Sequence, residues 1–272
     1  MKLYTFLILL ACFSTLLGCK QFKSDHPEAD LKGDEYATNL TAKTIIQYAS
    51  QIDKDLPTLE KRTSLVYRLG DLAFYVEKYL ANGNTVLITE HAYNGAATHT
   101  LKEYFFRNDS LILEKVTNEL ANSEGKVIKN SRTFLRSNTV FKTENRTAAS
   151  VEAINSLPYI DVPLTLNKKA DQTYLENVKT LNDVLEGKDR FEMVFENITT
   201  YPDSRYIILK SKVQNSYSAS LLVKQRDAFI DSLLNDPINF KDQKLNVNWA
   251  IEDREAVYVP VANSTSASGL NR

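Results

Sequence analysis

The 272-residue chain carries 33 basic and 34 acidic side chains, a formal charge of −1, and so lacks the basic stripe of a nucleic-acid binder. Its 14 Tyr and 12 Phe against 8 Gly and 7 Pro suit sheets and leave few of the loop residues on which active sites are often built.

Met1-Lys2 gives a short positive start, and Leu3 to Phe13 is an apolar run. The run is too short for a membrane span, which takes about 20 apolar residues, but it has the length of a signal-peptide core. It leads into Leu16-Leu17-Gly18-Cys19, which resembles the bacterial lipobox. The resemblance implies transfer of a diacylglyceryl group to the Cys19 thiol, cleavage of residues 1–18 at the small Gly18, and a further acyl chain on the new amine. Two or three such chains hold a protein firmly to a bilayer. The alternative is an ordinary secretory signal whose cleavage site carries a Cys. Cys12 would leave with the signal, so the mature chain would have Cys19 and no second thiol for a disulfide, a zinc-thiolate site or a nucleophile. The remaining 254 residues suffice for one large or two ordinary domains.

Residues 19–37 read as the lipidated Cys and a flexible, polar tether. Lys20 follows the anchor; in enterobacterial lipoproteins an Asp there retains the protein in the inner membrane, so its absence points to the outer membrane. Thr41 to Leu56 predicts a helix, with Ala42, Ile45, Ile46, Ala49, Ile52 and Leu56 on one stripe, Thr41 as cap and Pro57 as stop. Arg62 to Thr147 then alternates, with breaks at Asn82-Gly83-Asn84, Asn94-Gly95, Asn108-Asp109, Ser123-Glu124-Gly125 and Ser137-Asn138. Asn and Gly supply the positive φ of tight hairpins, so the pattern predicts an antiparallel meander with one buried and one wet face, covered by the helix.

Tyr104-Phe105-Phe106-Arg107-Asn108-Asp109-Ser110-Leu111-Ile112-Leu113 resembles a hairpin unit of Bacteroidota lipoproteins, with Thr133 to Val140 as a looser second copy. The resemblance covers about residues 40–147. It implies a lipoprotein sheet domain and carries no catalytic residue across.

Pro158 and Pro163 mark a boundary or crossing connection. Asp171 to Glu186 predicts a second helix ended by Gly187; strands follow near 190–199, 204–213 and 217–224, then a short helix from Asp227 to Asn235. Leu245 to Ile251 and Val257 to Val261 read as a final hairpin across Asp253-Arg254. The expected fold class is α+β: an N-terminal helix on an antiparallel meander (38–150), a second helix-plus-antiparallel-sheet unit (151–262) and a disordered tail (263–272).

Three histidines are present: His26 in the tether, and His91 and His99 around the Asn94-Gly95 turn. In a four-residue loop Ala92 would oppose His99, bringing Glu90, His91 and His99 near one hairpin end. That set could hold a divalent metal, although the spacing matches no ligand motif and a solvated hairpin end is the plainer reading. There is no Gly-x-Ser-x-Gly elbow and no Gly-rich phosphate cradle, and the 34 acidic residues single out no catalytic pair. Tyr75, Tyr79, Tyr93, Tyr104 and Phe106 fall opposite the apolar faces of their strands. Such a row could grip a sugar, a peptide or a lipid tail, unless that face is a second core side.

The sequence therefore reads as a lipid-anchored cell-envelope protein with a non-catalytic binding or envelope-interaction role. It would be held in the outer membrane through Cys19, need no cofactor, and have an envelope protein, glycan or peptide as partner. The runners-up are an envelope hydrolase and a carrier for an apolar ligand.

Overall fold

The computed structural model describes residues 40–260, apart from 124, 138 and 165–167. The lipobox with Cys19, the tether with His26 and the expected tail lie outside the described residues. The described chain is mixed α+β with a mostly antiparallel sheet.

Helix α1 spans Ala42–Asp55. Thr41 caps it reciprocally: its hydroxyl accepts from the Thr44 amide at 3.2 Å, and the Thr44 hydroxyl accepts from the Thr41 amide at 2.9 Å. This is a capping box with Thr in place of the usual Glu, and it satisfies two of the otherwise orphaned N-terminal donors. Leu56-Pro57 then tightens into a 3-10 turn, since Pro cannot continue the helix ladder.

Strands β1 (Glu60–Thr63) and β2 (Tyr67–Leu69) both pair with β3 (Leu72–Ala81). The meander continues through β4 (Asn84–Asn94), β5 (Thr98–Arg107), β6 (Ser110–Asn122), β7 (Gly125–Arg136) and β8 (Thr139–Ala148). Its tight turns use positive φ as expected, at Asn82 (51°) and Gly83 (82°), and at Asn108 (49°) and Asp109 (57°). The stretch around Pro158 holds two short elements, α2 (Val151–Ser156) and an edge strand β9 (Ile160–Val162) on β8. Helix α3 (Lys168–Glu186) starts a turn earlier than the sequence pattern suggested. Strands β10 (Met193–Thr200), β11 (Arg205–Ser211) and β12 (Ser218–Leu222) follow, then α4 (Ala228–Asn235), α5 (Pro237–Phe240) and the hairpin β13 (Asn248–Glu252) and β14 (Glu255–Val259).

The strands of the two expected units belong to one 14-stranded sheet, because β12 pairs antiparallel with β2 through Ser218↔Arg68 and Ala219↔Tyr67. Residues 40–150 and 151–260 are thus continuous through hydrogen bonds, and the contacts from Leu40 onward fall in one compact unit. Trp249 adds a link, donating from Nε1 to the Ser64 carbonyl at 3.1 Å.

The expectation of one wet face fails in the middle of the meander, where both faces are buried. On one face Leu87, Phe105, Leu113 and Phe134 stand in register across four strands and receive Ile45, Ala49 and Ile52 of α1. On the other, Val76, Ile88 and Tyr104 lie in the core that includes Leu181 and Val184 of α3. The register shift opposite Phe105 and Phe106 inserts Ile112 as an extra residue in β6, so that Ile112 and Leu113, successive in the chain, enter the same core. Such bulges also add local twist, which helps a broad sheet wrap its helices.

Candidate functional site

The register at the β4–β5 turn decides which side chains meet. Its loop is three residues, not four, so Tyr93 opposes His99 and Ala92 opposes Thr100. A shift of one residue exchanges every side chain between faces. His91, Tyr93 and His99 therefore share the α1 face with Tyr75, Glu77 and Tyr79, while Glu90 points to the α3 face. This separates the expected Glu90, His91 and His99 set. Among the described residues no group of three or more His, Cys, Asp or Glu is placed to hold a metal ion.

The aromatic row is corrected for the same reason. By register Tyr75, Tyr79 and Tyr93 lie on one face of the sheet and Tyr104 and Phe106 on the other, although Tyr75 and Tyr93 pack into the same cluster as Tyr104 and Phe106 and only Tyr79 packs with α1. None is an exposed platform: Tyr104 is 0% exposed, Phe106 6% and Tyr75 8%, and Tyr79 and Tyr93 are half-buried.

What the α1 face assembles is a ladder of ring pairs around one carboxylate. His91 stacks on Tyr75 at 4.5 Å, His99 stacks on Tyr93 at 4.7 Å, and the Arg254 guanidinium lies 4.5 Å over Tyr93. Glu77 accepts from the Tyr79 hydroxyl at 2.9 Å and pairs with Lys61 at 3.1 Å, with His91 Nε2 at 3.5 Å. Burial alone would raise the Glu77 carboxyl, but bonds from His91, Lys61 and Tyr79 outweigh it and lower it to about 2. Burial and the Arg254, His91 and Lys126 charges depress His99 despite the opposing Glu119. Thr89 Oγ1 also lies 3.5 Å from His91 Nε2. A nucleophile–His–carboxylate relay needs its two partners on opposite ring nitrogens, whereas here Thr89 and Glu77 converge on the same one. The ladder is a packed, charge-stabilised face and does not form such a relay.

The α3 face offers a different environment. A groove of about 200 Å³ runs between α3 and the sheet, floored by Leu72, Phe74 and Ala92, with Asn177 and Thr180 on its helix wall. Its wall is built by the end of α3. Gly187 at φ 59° closes a Schellman turn, with Lys188 N donating to the Asp183 carbonyl and Gly187 N to the Val184 carbonyl. The Tyr67 hydroxyl lies 3.2 Å from the carbonyls of both Val184 and Phe191, tying the helix end to the sheet. Tyr67, Phe74, Phe191 and Tyr217 then pack ring on ring with centroids 5.0–6.2 Å apart. Arg190 spreads over two of these rings, 5.2 Å from Phe191 and 5.6 Å from Tyr217.

At the other end of the groove Lys102 Nζ pairs with Glu90 Oε2 at 3.0 Å. Beside them, Tyr104 stands opposite Glu114 across β5–β6. Glu114 is buried, which raises its carboxyl; the Glu90 charge adds to this, while Lys102 and the nearby Tyr104 hydroxyl work against it. The Tyr104 hydroxyl is fully buried beside the Glu114 carboxyl, which together with burial makes the phenol harder to ionise.

Of the sequence-derived candidates, only Glu90 lines this groove. Lys102, Arg190 and Tyr217, which also line it, were not singled out, and one signal existed for Lys102 and for the neighbouring Glu114. Glu114 ends the apolar run Leu111-Ile112-Leu113, and Lys102 alternates with Tyr104, so both charges sit at inward positions of their strands. No family model, no curated protein and no solved structure matches this chain, so the chemistry of the groove rests on its own geometry.

Proposed function

We propose that this chain is a lipid-anchored protein of the bacterial cell envelope, held in the outer membrane through Cys19, whose folded body binds a small ligand between α3 and the sheet. The observation that carries the binding half is the groove: apolar at its floor, with charged side chains at both ends. Ligand sites are concave, mostly apolar and oriented by a few polar groups. At about 200 Å³ it is smaller than the typical drug-sized pocket, so the ligand is metabolite-sized. The anchor half rests on Leu16-Leu17-Gly18-Cys19 and the short apolar run before it. Among the described residues no helix is long and apolar enough to cross a membrane.

Each half has its own test. Cys19→Ala should move the protein from the detergent phase to the aqueous phase on partition; a variant that stays with the detergent would refute the anchor. Native mass spectrometry of protein gently extracted from membranes should show a co-purified small mass. Thr180→Trp, which fills the groove from the helix wall, should lose it, and so should Ala92→Trp, which fills it from the floor. A wild-type protein carrying no such mass, or variants that keep it, would remove the ligand-binding reading.

A further inference from the structure

The charges that line the groove do not balance. Three ionic side chains reach it: Glu90, Lys102 and Arg190. Glu90 and Lys102 cancel each other in an ion pair of 3.0 Å. Arg190 has no carboxylate within ion-pair reach among the described residues; its guanidinium rests on the Phe191 and Tyr217 rings, and the residue is exposed. Contact with ring faces leaves the N–H fork of a guanidinium unspent. The groove thus presents one uncompensated positive charge beside a floor of Leu72, Phe74 and Ala92, which gives only apolar contact.

The surroundings of Arg190 also decide which anion fits. Phosphate sites are commonly built from backbone N–H groups at a helix N-terminus. Here the adjoining helix end is the C-terminus of α3, the negative end of its dipole, which disfavours a dianion. Its last carbonyls are not bare, since they accept from the Gly187 and Lys188 amides and the Tyr67 hydroxyl, so a single negative charge can sit on Arg190 beside them. A ligand ammonium finds no partner, because the lining carboxylate, Glu90, is already paired.

We propose, resting on the binding reading above, that the groove takes a small monocarboxylate with an uncharged, apolar body. Its carboxylate lies on the Arg190 fork and its body on the floor around Phe74. A space of about 200 Å³ limits that body to roughly a single ring or a short chain.

The test is calorimetry on the detergent-solubilised full chain with three probes of one skeleton: 3-phenylpropionate, 3-phenylpropionamide and L-phenylalanine. The acid should bind about tenfold more tightly than the amide, since a charge-assisted fork is about twice as strong as a neutral hydrogen bond. L-Phenylalanine should bind no more tightly than the acid. Arg190→Gln should bring the acid down to the level of the amide and leave amide affinity unchanged. Should Arg190→Gln lose both probes, Arg190→Lys decides, because it keeps the charge and the stem over the rings: a retained preference for the acid supports the assignment and a lost one overturns it. The assignment also falls if the amide binds as tightly as the acid, if L-phenylalanine binds more tightly than the acid, if Arg190→Gln keeps the preference, or if the acid gives no heat. Whether the groove is a ligand site at all is decided separately, by the co-purified mass and its loss in Thr180→Trp.

Discussion

Phe105→Ala should cost about 3–5 kcal/mol of stability, the range for truncating a large aromatic in a packed core. Phe105 is fully buried under α1, in register with Leu87, Leu113 and Phe134, and the Lys115 ammonium sits 4.3 Å over its ring. Lys115 is itself tied to Asp53 of α1 at 3.0 Å, so the cavity would loosen a polar clamp as well as an apolar contact. Ile238→Ala is the control: this side chain is 82% exposed, and its loss should change stability by less than about 0.5 kcal/mol. Urea unfolding measures both. Trp249, the one tryptophan, makes the experiment sharper. It lies in the second half of the chain and bonds to Ser64 in the first. If the shared sheet makes the halves cooperative, Phe105→Ala will shift the Trp249 fluorescence transition as far as the circular-dichroism transition. A Trp249 midpoint that stays put while helix signal is lost earlier would mean the halves unfold separately.

Local features were legible in the sequence because their causes are local. The stripe from Ala42 to Leu56 needs only a 3.6-residue period, a capping Thr41 and a stopping Pro57, and the Asn82-Gly83 and Asn108-Asp109 turns need only residues that accept positive φ. Errors began where a partner strand sets the answer. Reading the β4–β5 loop as four residues placed His99 opposite Ala92, and that slip assigned Tyr104 and Phe106 to the wrong face. Alternation alone could not show that Ile112 and Leu113 enter the same core, since the extra residue that allows it is defined only by the register against β5. The β2–β12 pairing joins residues about 150 positions apart and leaves no periodic trace. For the site, Tyr75, Tyr79, His91, Tyr93 and His99 do gather on one face, but around Glu77, which the sequence did not mark. The groove was hidden for a physical reason: it depends on Arg190 and Tyr217 being carried to β3 and β4 by α3 and β12, and on two strand charges facing inward.

The buried carboxylates should also give the protein an acid profile whose sign separates the two faces. Glu77 titrates near 2 in the fold, against an ordinary value of 4.5. A depressed carboxyl contributes stability that is fully present above its unfolded value and is lost as pH falls toward its folded one. The shift corresponds to at most about 3.4 kcal/mol at 1.36 kcal/mol per unit, lost between pH 4.5 and 2. Glu77→Gln should therefore lower stability at pH 7 and flatten the acid limb, because Lys61 and Tyr79 lose a charged acceptor. Glu114 runs the other way. Its raised carboxyl favours the fold below its unfolded value, and that contribution is lost as pH climbs through its folded value. Glu114→Gln keeps the shape and removes the buried charge, so it should stabilise the ligand-free protein at pH 7 and change it little at pH 4. Chemical denaturation at a series of pH values from 2 to 7 distinguishes the two. Parallel curves for the wild type and Glu77→Gln would show that the Glu77 bonds do not form in solution. A loss of stability in Glu114→Gln at pH 7 would show that Lys102 and the Tyr104 hydroxyl compensate this carboxylate in the fold.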